Sequence, residues 1–417
     1  MSARAEAAGF STARLEVLDA FLKTRYLDTG RIPGALTLIW RRGEIAHFRA
    51  LGHADVERGT PLREDTVFRI YSMTKPLTTV AFMMLVEQGM VALDTPVHDL
   101  IPEWKDLGVY QGGTLETFRV KRPEKPMLVV DLLRHTSGLT YGFQESTNVD
   151  SAYRRLKIGE WHGPTLEEMI QKLAGLPLEF TPGTAWNYSV STDVLGYLVG
   201  RLSGVPFGEF LRSRILDPLG MKDTGFHVRR GNENRLAACY AATPKGGMKL
   251  QDDPVKSPYL EPPTLCSGGG GLVGTAADYL RFCRMLLNGG ELDGVRLLGR
   301  KTIELMTKNH LPDGKDLPAL SRSLFSEAIY NGVGFGLGFA ITLDPARTML
   351  PGSPGEFFWG GLASTTFFID PAEDLIVIFM TQLIPSNTWP IRRELRTLIY
   401  SALVDDRPWR KNARSSA

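Results

Sequence analysis

Leu15, Leu18, Leu22 and Tyr26 recur at helical spacing ahead of Gly30, a residue suited to closing a helix. Behind them, Ala35 to Trp40 and Ile45 to Leu51 read as two strands around the turn Arg41-Arg42-Gly43-Glu44. At the far end, Thr365 to Ile369 and Leu375 to Thr381 are β-rich runs joined by Asp370-Pro371-Ala372-Glu373-Asp374, and a last amphipathic stretch turns Ile391, Leu395, Leu398 and Ala402 inward. From Val80 to His310 the helical period dominates, broken at Thr181-Pro182-Gly183 and Asn288-Gly289-Gly290. The economical assembly is an α+β fold, with one antiparallel sheet drawn from both chain ends, flanked by terminal helices, and a mainly helical domain inserted. On this reading the sheet domain is discontinuous, residues 1–80 with 311–417, and residues 81–310 form the helical domain. Functional groups are then expected in the cleft between the two.

Charge narrows the partners. The 48 Lys and Arg nearly cancel 46 Asp and Glu along the whole length, a net +2, so no field steers nucleic acid or an anionic membrane and neither is an expected partner. Cys239, Cys266 and Cys283 cannot make a disulfide framework and include no C-x-x-C pair, so they read as buried thiols in a reducing compartment. Met1 to Ser11 has no apolar stretch behind it to act as a secretory leader, and the runs Val80 to Val86 and Leu375 to Met380 fall far short of the about 20 residues a bilayer needs. A cytoplasmic location is the expectation.

Candidate chemistry begins at Ser72-Met73-Thr74-Lys75, directly before the apolar, glycine-free stretch Leu77 to Gln88. Proline is tolerated only in a helix's first turn, so Pro76 places the helix start near Ser72 and sets the Ser72 hydroxyl and the Lys75 amine on one face. The helix N-terminus favours an oxyanion forming beside Ser72. With 21 Ser and 15 Lys, roughly one S-x-x-K arises by chance, so position rather than the tetrapeptide carries the weight. No G-x-S-x-G elbow occurs, and His135, in Arg134-His135-Thr136-Ser137-Gly138, reads as a turn residue rather than a triad base. As base, Lys75 must spend time neutral, and lowering its pKa from about 10.4 to about 7 costs on the order of 4 to 5 kcal/mol of differential solvation. Tyr188, in Trp186-Asn187-Tyr188-Ser189, is the candidate to share that proton, its phenol expected to be acidified by the ammonium while desolvation lowers the lysine. Against this stands the bland reading of Tyr188 as one packed tyrosine among 12.

Ser72-x-x-Lys75, Asp131 to Leu139, Pro182-Gly183-Thr184 leading to Tyr188-Ser189, and Trp359-Gly360-Gly361 occur in an order that resembles family VIII carboxylesterases, relatives of class C β-lactamases and D-alanyl-D-alanine peptidases. The likeness runs from about Leu15 to Leu403. It implies a β-lactamase/transpeptidase-like fold and a serine hydrolase in which Ser72 is acylated with Lys75 and Tyr188 as its bases. It also implies an oxyanion hole from the backbone N–H groups of Ser72 and Leu362, with Trp359, Gly360, Gly361, Tyr141 and Asp193 as substrate-side or supporting groups. No cofactor is required.

Two departures from the β-lactamase pattern bear on substrate. The lactamases carry Tyr-x-Asn at the second motif, where this chain has Val190, a side chain unable to hydrogen-bond a substrate amide. Their third motif is Lys-Thr-Gly, and here Trp359 stands at the lysine, so a cation for an anionic drug is missing. An apolar wall of Phe357, Phe358 and Trp359 suits an uncharged small, short-acyl ester, although one of the two phenylalanines should face the core. The alternatives are a β-lactamase or peptidase, an acyltransferase, and a non-catalytic ligand-binding member of the fold. Gly269, Gly271 and Gly274 satisfy G-x-G-x-x-G, but no strand precedes them, and a backbone turn near the cleft is the better reading. No metal is expected, because the seven histidines, His162 among them, form no i, i+4 pair and no H-E-x-x-H.

Overall fold

The structure is a computed structural model and describes residues 2–160, 163–322 and 330–404; His162 and the range beyond 404 assigned above to the sheet domain lie outside it. Eight antiparallel strands form the main sheet, in the order Val333–Phe335, Ala340–Thr342, Phe357–Gly360, Thr366–Asp370, Leu375–Met380, Gly34–Arg41, Glu44–Asp55, Thr60–Pro61. The two chain ends meet at its centre, where Leu38 faces Ile378 and Leu36 faces Met380.

Both faces of the sheet are covered at its centre, which is why Leu375–Met380 reads as an unbroken apolar run. On Leu375–Met380 every residue is buried, but alternate side chains serve different cores. Ile376, Ile378 and Met380 join the large core under the helices of the middle region, while Leu375, Val377 and Phe379 join the smaller core beneath the terminal helices. Those helices are Thr12–Leu22, started by Ser11 Oγ accepting the Arg14 N–H, and Ile391–Ser401. Leu15, Leu18, Leu22 and Tyr26 are buried as the pattern requires. On the last helix the inward set is Ile391, Leu395, Ile399 and Ala402; Leu398 is only partly buried, because the stripe follows i, i+4, i+8 and passes through Ile399.

The middle of the chain holds the helices Thr74–Glu87, Ser191–Ser203 and Ala276–Leu287, the first two packed together. It also carries short sheets that the helical period hid, among them the hairpin Val109–Gly113 with Phe118–Lys121. In another, Cys239–Ala242 pairs with Met248–Asp252 and with Leu383–Ile384 from the far end of the chain. Strands of two to five residues are too brief to display a period of two. No helix among the described residues is long and apolar enough to cross a membrane.

Candidate active site

Ser72 lies in a single 3₁₀ turn, Tyr71–Met73, that runs into the helix Thr74–Glu87. The residue before it, Tyr71, is held at φ +43°, a left-handed conformation uncommon for a bulky side chain and one that re-aims the backbone immediately ahead of Ser72. One turn on, the Lys75 amine sits 3.3 Å from Ser72 Oγ and donates to the Gly269 carbonyl at 2.7 Å. Lys75 is 2% exposed. Burial lowers its pKa to about 7, and Asp193 opposes the fall.

Two tyrosine rings enclose the amine, Tyr188 at 4.3 Å and Tyr141 at 5.3 Å from the ring centroids. The Tyr188 hydroxyl accepts from Trp359 Nε1 at 3.3 Å and is hydrogen-bonded to the Ser72 side chain. Three distant stretches of chain thus converge on one alcohol. One expectation is corrected here: the Tyr188 phenol is raised, not acidified, because burial outweighs the bonds from Ser72 and Trp359 that pull the other way. At neutral pH it is a neutral hydroxyl, able to take a proton only as it gives one up.

Asp193, grouped above with the substrate-side residues, is 1% exposed and stands behind the lysine. It accepts from Ser267 Oγ at 2.5 Å and from the Gly269 N–H at 3.1 Å, so it holds the segment whose carbonyl holds Lys75. Gly269 has to be glycine, since a Cβ there would lie 2.5 Å from Asp193 Oδ2 and 2.7 Å from the Tyr141 hydroxyl. The glycine run is therefore a close-packed turn against the cleft, and Gly271 and Gly274 crowd Phe226 and Thr224 in the same way. Tyr141 stacks on the exposed Phe143, with ring centroids 4.7 Å apart.

The strand Phe357–Gly360 supplies the opposite wall. Trp359 faces Tyr188, with ring centroids 5.5 Å apart. The three-residue aromatic wall is not formed: Phe357 packs into the core against Phe339, and Phe358, on the other face of the sheet, lies under the Arg396 guanidinium. Strand alternation sends Phe358 away, and Phe357, though on the Trp359 face, lies two residues deeper. Beyond the strand, Gly361 brings the backbone against the segment leading to Ser72, where a Cβ would sit 2.5 Å from the Ile70 carbonyl. Leu362 follows, 45% exposed. Among the described residues, the backbone N–H groups of Ser72 and Leu362 meet no protein acceptor.

His135 is a turn residue with φ +58°, but a buried one. Its Nδ1 is 3.1 Å from Ser189 Oγ, its ring is 5.0 Å from that of Tyr188, and burial keeps it neutral. It packs against the tyrosine, and its ring bonds Ser189. Sequence reasoning did not find the Gly269 carbonyl, Ser267 or Arg392, whose Nη2 donates to the carbonyls of Gly361 and Thr365 at 2.8 and 2.9 Å. The serine-glycine run was a signal for the first two; for Arg392 there was none beyond its place on an amphipathic helix. No three histidine, cysteine or carboxylate side chains among the described residues converge as a metal site. The arrangement can transfer an acyl group, since it provides an alcohol, an amine with a pKa near 7, a phenol bonded to that alcohol and, among the described residues, two N–H donors without a protein acceptor.

Comparison with known proteins is consistent with that chemistry. The beta-lactamase family model matches residues 18–400. Protein Rv1367c of Mycobacterium tuberculosis is 38% identical over 361 residues, covering 86% of this chain and 88% of that protein. Esterase EstB of Burkholderia gladioli is 32% identical over 409 residues, covering 93% and 95%. Among solved structures, EstCE1, described as a hydrolase with promiscuous acyltransferase activity, superposes with a TM-score of 0.77 at 27% identity, covering 94% of this chain and all of that one.

Proposed function

The chain belongs to the beta-lactamase family, and from that premise we propose that it hydrolyses small, uncharged, short-acyl esters through an acyl-enzyme on Ser72. It is a serine hydrolase of this fold, of the carboxylic ester class. One observation carries the mechanism: a buried amine with a pKa near 7 lies 3.3 Å from a serine hydroxyl.

In the first half-reaction Ser72 Oγ attacks the ester carbonyl and its proton passes to Lys75 Nζ, directly or across the Tyr188 hydroxyl. The carbonyl oxygen gains the negative charge between the N–H groups of Ser72 and Leu362. Collapse breaks the bond to the alcohol oxygen, which leaves with the proton from Lys75. Water then attacks the acyl-enzyme, gives a proton to the same amine, and releases the acid as Ser72 Oγ recovers its hydrogen. The same reading divides the chain into a sheet domain, residues 1–80 with 311–417, and a helical domain, residues 81–310, with the helix Thr74–Glu87 bridging them at the cleft.

An ester is favoured over a β-lactam by Val190, fully buried and unable to hold an amide, and by Trp359, whose indole supplies no cation for a carboxylate. A second reading, acyl transfer to an alcohol or amine, draws support from EstCE1 and differs only in what attacks the acyl-enzyme. The test is a panel of p-nitrophenyl esters beside a chromogenic cephalosporin, with added alcohols and a fluorophosphonate label. Ser72→Ala should lose on the order of 10³-fold or more in kcat and all labelling. An active Ser72→Ala, or a cephalosporin cleaved faster than butyrate esters, overturns the proposal.

A further inference from the structure

The last helix of the sheet domain sends one side chain toward the site. Arg392, second residue of Ile391–Ser401, places Nη2 on the carbonyl oxygens of Gly361 and Thr365. The Gly361 carbonyl and the Leu362 N–H belong to one planar peptide unit, so whatever fixes the carbonyl fixes the direction of the N–H. A cation on the carbonyl also draws electron density out of the amide and makes its N–H a stronger donor, as in charge-assisted and chained hydrogen bonds.

The local sequence is built to admit that contact. A Cβ on Gly360 would lie 2.6 Å from Arg392 Nη2 and 2.7 Å from its Cζ, so only glycine leaves the guanidinium room. The bond to Thr365 closes the same turn from its other side, because the Gly361 N–H donates to the Thr365 carbonyl at 2.9 Å. The charge also reaches Tyr188, where it works weakly against the burial that raises the phenol.

We infer that Arg392 is a positioning residue for ester hydrolysis: bound to the Gly361 carbonyl, it orients and polarises the Leu362 peptide as an oxyanion donor. This rests on the acyl-enzyme reading above. Its effect belongs to the transition state, where the carbonyl oxygen is charged, and hardly to the bound ester.

Arg396, one turn along the same helix, provides the comparison. It pairs with Glu356 and covers Phe358 and Phe368, so its loss weakens the helix without touching the Gly361 peptide. The experiment measures kcat and KM for p-nitrophenyl butyrate, the rate of fluorophosphonate labelling and Tm in Arg392→Met, Arg392→Lys and Arg396→Met. Arg392→Met should lose about 30- to 100-fold in kcat and in labelling rate, somewhat less than deletion of an oxyanion donor, with KM within about threefold. Arg396→Met should lower Tm with kcat within about threefold of wild type, and guanidinium ion should restore part of the rate of Arg392→Met but not of Arg396→Met. If Arg392→Met does not fold, Arg392→Lys, which keeps a charge but reaches one carbonyl, should show an intermediate kcat loss. Wild-type kcat in folded Arg392 variants, or equal kcat losses in Arg392→Met and Arg396→Met, overturns the inference. Failure of the underlying reading is separate, since it is seen in wild type as Ser72 going unlabelled.

Discussion

Replacing Lys75 with methionine should abolish turnover and at the same time stabilise the protein near neutral pH. In the unfolded chain the lysine keeps its ordinary pKa of 10.5, whereas in the fold it is about 7. Between those values the unfolded chain binds more protons than the native state, so this residue's contribution to stability rises with pH through that window, by about 1.4 kcal/mol per pH unit. At pH 7 the native state therefore carries a penalty of about 4 kcal/mol relative to a neutral side chain of the same shape. Methionine removes the penalty but leaves the Gly269 carbonyl without its amine, a loss of about 1–3 kcal/mol. The net expectation is a variant about 1–3 kcal/mol more stable at pH 7, its advantage shrinking as pH rises. Urea unfolding of both proteins from pH 6.5 to 9.5 reads the difference, in which titrating groups remote from Lys75 cancel. A difference that does not change with pH would refute the claim that this amine is deprotonated by burial.

Two further outcomes follow from the same geometry. The kcat/KM profile for a butyrate ester should rise through an acid limb near pH 7, and Asp193→Asn, which removes the carboxylate that keeps the proton on Lys75, should move that limb to lower pH; an unmoved limb argues against the coupling. Gly361→Ala should lower kcat by about 10²- to 10³-fold with KM nearly kept, because its Cβ would push the Leu362 peptide away from Ile70; wild-type kcat in a folded variant would remove that peptide from the oxyanion hole.

The Ser72–Lys75 relation was legible because it depends on a local rule: proline fixes where the helix starts, and a separation of three fixes the shared face. The central strands were legible for a similar reason, since a run such as Leu375–Met380, buried on both sides, has no polar member to blur it. What stayed hidden was set at long range. The direction in which the Tyr188 phenol shifts depends on how completely Tyr141, Trp186 and Trp359 exclude water, and no spacing reports that. The reach of Arg392 depends on the last helix lying across the strand end at Gly360, and the carbonyl at Gly269 on a turn nearly two hundred positions from the lysine it holds. That one of Phe357 and Phe358 faces the core was legible from alternation; that it is Phe357 depends on depth along the strand, which alternation alone does not give.

The pairing of Gly34–Arg41 with Leu375–Met380 has a consequence for biosynthesis. Roughly 330 residues separate the two partners, an extreme of non-local pairing, so Gly34–Arg41 and the Ser72 that follows it are made well before the strand that completes the sheet centre. The Gly361–Leu362 peptide and Arg392 behind it are made long after that serine. The order of synthesis thus separates Ser72 in time from the peptide and the arginine that stand beside it in the finished fold.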